Sequence, residues 1–216
     1  AWNQKPDLIL ASGDMLSGDR EEGDAIAVAL LSRLSDLAPV CFVNGNHEMC
    51  VERHQPERYQ KFMDDLKNGG VQVLHNETAW FWIDGEKVAV TGYELPWEYY
   101  RRFSRRHPSV VGMERSIGKR KQDAYQILLT HNPVFFEEYA AWGADFTFAG
   151  HLHGGFIRLP YFGGVISPQF QLFPKYDHGL YQMDTSSMVV GAGMGNHSGL
   201  FRINNPTEIV TVRIKR

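Results

Sequence analysis

Short apolar runs and longer amphipathic stretches alternate along the first third of the chain. Leu8, Ile9, Leu10 and Ala11 predict a buried strand over Asp7 to Ser12 that stops at Gly13-Asp14. Ile26, Leu30, Leu34 and Leu37 then recur at helical spacing behind the acidic pair Glu21-Glu22, and Pro39 closes that helix. Val40 to Val43 predicts the next strand, which runs into Asn44-Gly45-Asn46-His47. A second helix opens at Pro56, carries Tyr59, Phe62, Met63 and Leu66 on one face, and stops at Gly69-Gly70.

Beyond Val71 to Leu74 the pattern turns antiparallel. Ala79 to Ile83 and Lys87 to Thr91 flank the turn dipeptide Asp84-Gly85, which predicts a hairpin with Trp80, Phe81 and Trp82 in the sheet core. The basic stretch from Trp97 to Lys121 reads as helical with a solvated face. Strands are predicted at Tyr125 to Leu129 and Phe146 to Ala149 with a helix from Pro133 to Trp142 between them. Short strands follow at Leu180 to Met183, Met188 to Val190 and Glu208 to Ile214. With no internal repeat or linker, residues 1–216 read as one domain of mixed sheets and outer helices, in the α/β (α+β) class.

Composition narrows the function. A chain of 216 residues that is 43% hydrophobic can build a substantial core. A net charge of -3 argues against affinity built on wrapping a nucleic-acid backbone, and leaves small phosphorylated substrates open. The two cysteines, Cys41 and Cys50, have no paired spacing for a structural zinc site, and Cys41 in its apolar run reads as a small buried hydrophobe. No apolar stretch approaches the roughly 18 residues of a membrane span.

Four polar loops each follow an apolar strand: Gly13-Asp14, Gly45-Asn46-His47-Glu48, Thr130-His131-Asn132-Pro133 and Gly150-His151-Leu152-His153-Gly154. In sheets flanked by helices, ligands collect beyond the carboxyl ends of strands, so these loops are expected to converge on one cleft. One carboxylate (Asp14), one amide oxygen (Asn46) and three imidazoles (His131, His151, His153) make a nitrogen and oxygen donor set suited to Mn, Fe or Zn. Gly13, Gly45 and Gly150 are expected to let the backbone turn sharply beneath the ligands. His54, His75 and His107 read as surface residues, and His178 and His197 as candidates for a substrate rim.

These loops, in this order, resemble the motifs of the calcineurin-like metallophosphoesterases, and the resemblance covers nearly all of the chain. It implies a four-layer αββα sandwich of two mixed β-sheets flanked by helices, with the metal site on loops at the strand C-termini. It also implies two divalent cations. One would be held by Asp14, Asn46, His131 and His151; the other would share Asp14, take His153, and draw further ligands from an Asp-x-His loop on a preceding first strand that this sequence lacks. His47 would be no ligand but the catalytic group that donates a proton or stabilises the phosphoryl group. Glu48 and Glu94 stand where the family more often has Asp, and would act on the surroundings of the ligands. Gly154 to Pro160, Gly179-Leu180-Tyr181 and Asn205-Pro206 resemble the small bacterial branch, whose members are often membrane-associated through an upstream segment.

The implied activity is hydrolysis of a phosphodiester, phosphomonoester or pyrophosphate bond in a small phosphorylated substrate, by direct attack of a hydroxide held between the cations. Two alternatives remain open on the sequence. One is a non-catalytic metal-binding scaffold of the same fold, separated by a turnover test. The other is a nuclease of the same superfamily using the Arg101 to Lys121 segment, separated by salt-sensitive binding of a single strand.

Overall fold

The computed structural model describes residues 4–18, 21–101, 106–153, 158–159, 163–164, 174–195 and 204–215. The first half alternates strand and helix: β1 (Ile9–Ala11), α1 (Asp24–Ser35), β2 (Val40–Phe42), α2 (Asn46–His54), α3 (Pro56–Asn68) and β3 (Val71–Val73). The hairpin β4 (Thr78–Ile83) and β5 (Glu86–Tyr93) follows, then α4 (Val110–Ile117), β6 (Tyr125–Thr130), α5 (Phe136–Trp142) and β7 (Phe146–Ala149). Short pairs β8 (Arg158–Leu159) with β9 (Gly163–Gly164), and β10 (Gly179–Met183) with β11 (Ser186–Val190), complete the described elements. No helix among the described residues is long and apolar enough to cross a membrane.

Two sheets result. Strands β1, β2 and β3 pair in parallel, and a six-stranded sheet runs β10-β11-β7-β6-β5-β4 with parallel inner ladders and an antiparallel hairpin at each edge. Strand alternation distributes the apolar side chains among layers. Val40 and Phe42 of β2 pack with Leu31, Phe62 and Leu66 of the helices, whereas Cys41 and Val43 pack with Val88, Val90, Ile127 and Leu129 of the larger sheet. On the far side of that sheet, Tyr93 and Leu128 pack with Met113 of α4 and Tyr139 of α5. Helices, sheet, sheet, helices is the αββα order. Cys41 lies between the sheets, fully buried, where burial pushes its thiol pKa up to about 12.

Several local expectations are corrected. The face of α1 that docks carries Ala27 and Leu31, while Ile26 is 71% exposed. Both stripes satisfy helical spacing, and small Ala27 hid the one that packs. Asn46–His54 is helical although only Val51 among its apolar residues is buried, and it ends at Gln55, whose backbone leaves the helical region (φ -141°, ψ 62°) just before Pro56. In β4, Ala79, Phe81 and Ile83 face the intersheet core, so alternation sends Trp80 and Trp82, expected in the core, to the other face, 45% and 73% exposed. Glu208 to Ile214, expected as a strand, pairs with none among the described residues and leaves Ile209 and Ile214 exposed.

The loops after β1 and β2 are bound to each other by one side chain. Glu48, fully buried in the first turn of α2, accepts hydrogen bonds at Oε1 from the N–H groups of Met15 (2.6 Å) and Leu16 (2.8 Å). Its Oε2 accepts from Asp14 N–H (2.7 Å) and Gly45 N–H (2.7 Å). Burial raises the carboxyl pKa, the charge of Asp14 adds to that, and the N–H donors pull against both. Glycine permits the close contact: a Cβ on Gly13 (φ +87°) would strike the Gly45 backbone, and one on Gly45 would strike Asp14. At Gly45 (φ -94°) it is this approach, not a left-handed turn, that requires glycine.

Two stability outcomes follow, both read by urea denaturation. Leu31→Ala should cost about 2–4 kcal/mol and Ile26→Ala no more than about 0.5 kcal/mol; equal losses would contradict the docking face. Glu48→Gln keeps the shape but turns an amide N–H toward two of the four donors, and should cost about 3 kcal/mol. A change below about 1 kcal/mol would show that the donors find other partners.

Candidate metal centre

Asp14 sits at the C-terminal end of β1 in a left-handed backbone conformation (φ 58°), immediately after Gly13. Its Oδ1 accepts the backbone N–H of His47 at 2.9 Å, which ties it to the N-terminal turn of α2. A helix start presents free N–H groups and a positive dipole end to a carboxylate. Its Oδ2 lies 3.1 Å from His131 Nε2 and 4.0 Å from His47 Nε2.

His131 follows β6, in the other sheet. Its Nδ1–H donates to the carbonyl of Ser12 at 2.5 Å, and this bond between the sheets leaves Nε2 as the atom that meets Asp14 and the Nδ1 of His151 (3.1 Å). His151 follows β7 and Gly150, in a left-handed conformation (φ 66°). The loops after β6 and β7 are joined by Gly150 N–H donating to His131 O at 3.0 Å. Gly150 has no left-handed backbone to explain it; a Cβ there would press on Ser12 Oγ at 2.9 Å. Ligand-capable atoms of Asp14, His131 and His151 all lie within 4.8 Å of one another.

The electrostatics favour a cation. Burial pushes Asp14 toward the neutral form, but the imidazoles of His131, His47 and His151 outweigh it and hold the carboxyl far below the usual range. Burial opposes charge on His131, and the Asp14 carboxylate beside it raises its pKa nonetheless. In His151, burial first and then the charge of His131 drive the pKa well below 6.5, so this ring is neutral, the form in which imidazole coordinates metal. Two buried atoms test the fit directly: His151 Nε2 and Asn46 Oδ1 have no hydrogen-bond partner. A buried polar atom left without a partner is costly, and a divalent cation bound by the neutral ring and the amide oxygen would supply one.

Of the residues singled out in the sequence, Asp14, His131 and His151 are thus brought together, with Asn46 placed beside them as the first residue of α2. The ring of His153 does not belong to that group, and its backbone is left-handed (φ 50°). His47, with 31% of its side chain exposed against 9% for Asp14 and 2% for His131, faces outward from the cluster. His178 pairs with Glu208 at 2.8 Å, and His197 lies outside the described residues. His75, expected at the surface, is half-buried and bonds Glu94 at 3.0 Å; Glu94 in turn accepts Asn44 N–H at 3.2 Å, bracing the β2 loop from β5.

Sequence reasoning missed Tyr100. Its buried ring packs against those of His131 (centroids 6.1 Å apart) and His151 (5.4 Å), and burial raises its phenol pKa well above the usual value. Only its place after the Pro96-Trp97 turn hinted at a return to the site. The role of Glu48 was also larger than its motif position indicated, because its spacing said nothing of the donors it would meet across the β1 loop.

A family model described as calcineurin-like phosphoesterase matches residues 2–155. The chain is 24% identical over 213 residues to the uncharacterized metallophosphoesterase YkuE of Bacillus subtilis (strain 168), covering 98% of this chain and 68% of that protein. It is 26% identical over 211 residues to the phosphodiesterase YaeI of Escherichia coli (strain K12), covering 98% and 71% respectively. Among solved structures, the phosphopantetheinyl hydrolase PptH from Mycobacterium tuberculosis aligns with a TM-score of 0.50 at 14% identity, over 86% of this chain and 78% of that one, a likeness of fold alone. With the family model spanning most of its length, the chain belongs to the calcineurin-like phosphoesterases, a family of metal-dependent phosphoester hydrolases.

Proposed function

We propose that this chain hydrolyses a phosphate ester or anhydride bond of a small substrate at the cleft formed by the loops after β1, β2, β6 and β7. Asp14, Asn46, His131 and His151 would hold one divalent cation, and Asp14 with His153 would contribute to a second. The observation that carries this reading is the joint burial of a neutral, unpartnered imidazole nitrogen on His151 and an unpartnered amide oxygen on Asn46 beside a charged carboxylate. When bound, divalent cations there would supply charge neutralisation to the phosphoryl group and acidify water.

The chain's own residues supply the rest. Asp14 keeps its charge because three imidazoles face it, and its orientation is set by the His47 N–H. His47 is more open than Asp14 and His131, and it stands on the helix whose start holds Asp14, so it can reach a substrate oxygen and donate a proton as the bond breaks. Cys41 is no nucleophile, being sealed between the sheets with its thiol pKa near 12. Water is therefore the attacking group in this reading. The relative named a phosphodiesterase makes a diester the first bond class to test.

Elemental analysis of purified variants, with turnover of a generic aryl phosphodiester, decides it. Asp14→Asn and His151→Ala should each lose bound metal, whereas His47→Ala should keep it and lose turnover by about 100-fold or more. Metal loss in His47→Ala equal to that in His151→Ala would refute its role as proton donor, and full turnover in Asp14→Asn would refute the site.

A further inference from the structure

We infer that Asn205 is a positioning residue for His153, fixing from the C-terminal segment the left-handed turn that aims this side chain. The inference rests on the reading of His153 as a metal ligand given above. His151 and His153 both have positive φ (66° and 50°), a conformation that costs a non-glycine residue about 1–3 kcal/mol and persists only where the surroundings over-determine it. For His151 the determinants lie within the cluster: its ring is buried and bonded to His131, and fully buried Leu152 follows it. For His153 one contact comes from 52 residues away in sequence, where the side-chain amide of Asn205 donates to the His153 carbonyl.

The chain just beyond Asn205 is anchored through Glu208. Glu208, three residues on, donates its N–H to Gly193 O (3.1 Å), while its Oε1 accepts from Ala192 N–H (2.8 Å) and pairs with His178 Nε2 (2.8 Å). Gly191 N–H donates to Ala149 O at 3.1 Å, at the end of β7 and just before the histidine loop. The contacts therefore close a circuit: from β7 to the loop after β11, to Glu208, to Asn205, and back to His153. A neutral amide suits the place, since Asn205 is 4% exposed and a charged group there would be costly to bury. Asn205 and Glu208 thus fix the start of the C-terminal segment beside the end of β7.

The test is titration of the metal-free protein with manganese ions alone, beside its metal-free melting temperature. His153→Ala should lose or weaken one binding step. Asn205→Leu, which keeps the shape without the donor, should weaken that same step about 10-fold or more and leave the other step and the metal-free melting temperature near those of the unaltered protein. Asn205→Ala serves as the second variant should Asn205→Leu not fold. A lowered melting temperature with an unchanged manganese isotherm, or failure of both variants to fold, would make Asn205 purely structural and overturn the inference, as would equal weakening of every step. Unaltered manganese binding in His153→Ala would instead remove the reading of His153, and the inference with it. Unaltered binding in both Asn205 variants beside a defective His153→Ala would remove the inference alone.

Discussion

The buried carboxylate of Glu48 is the interaction on which the rest of the site depends. Four backbone N–H groups, from the β1 loop and the start of α2, converge on its two oxygens at 2.6–2.8 Å. Loops seldom satisfy buried N–H groups by themselves, and an ionisable group is costly to bury without partners, so each side of this contact meets the need of the other. Its product is geometric: the two loops touch backbone to backbone at Gly13 and Gly45, and Asp14 is delivered to the N–H of His47.

The αββα order turns that local clamp into a site. Parallel β1 and β2 end at the same side of one sheet, and parallel β6 and β7 at the same side of the other. Packing the sheets through Cys41, Val43, Val90 and Leu129 brings those ends together, and the His131 ring bonded to Ser12 O pins them. Crowding three imidazoles against one carboxylate in a buried place splits their protonation, with Asp14 charged, His131 raised and His151 neutral. The same crowding leaves buried polar atoms of His151 and Asn46 without hydrogen-bond partners, an arrangement suited to a cation rather than to a hydrogen-bonded core.

Much was legible from residues alone. The apolar runs at Leu8 to Ala11, Val40 to Val43, Tyr125 to Leu129 and Phe146 to Ala149 named four strands, and the Asp84-Gly85 dipeptide named the hairpin, because strand and turn propensities act over a few neighbours. The polar loops after those strands held Asp14, Asn46, His131 and His151, since ligand chemistry and strand ends are both local properties of sequence.

Tertiary structure decided which surfaces meet. Two apolar stripes compete on α1 and packing against α3 and the small sheet selects Leu31 over Ile26; alternation in β4 makes some residues face outward, and the sheet's partner makes them Trp80 and Trp82. The helix Asn46–His54 forms around a clamp whose partners lie up to 34 residues away, Tyr100 returns to cover two histidines, and 208–214 pairs with no strand among the described residues, being anchored at Glu208. Spacing along a chain sets what kind of element forms and which residue types stand at its end. The bonds that orient the site span 33, 52 and 119 residues, as in His47 with Asp14, Asn205 with His153 and His131 with Ser12, and such contacts exist only once the layers have packed.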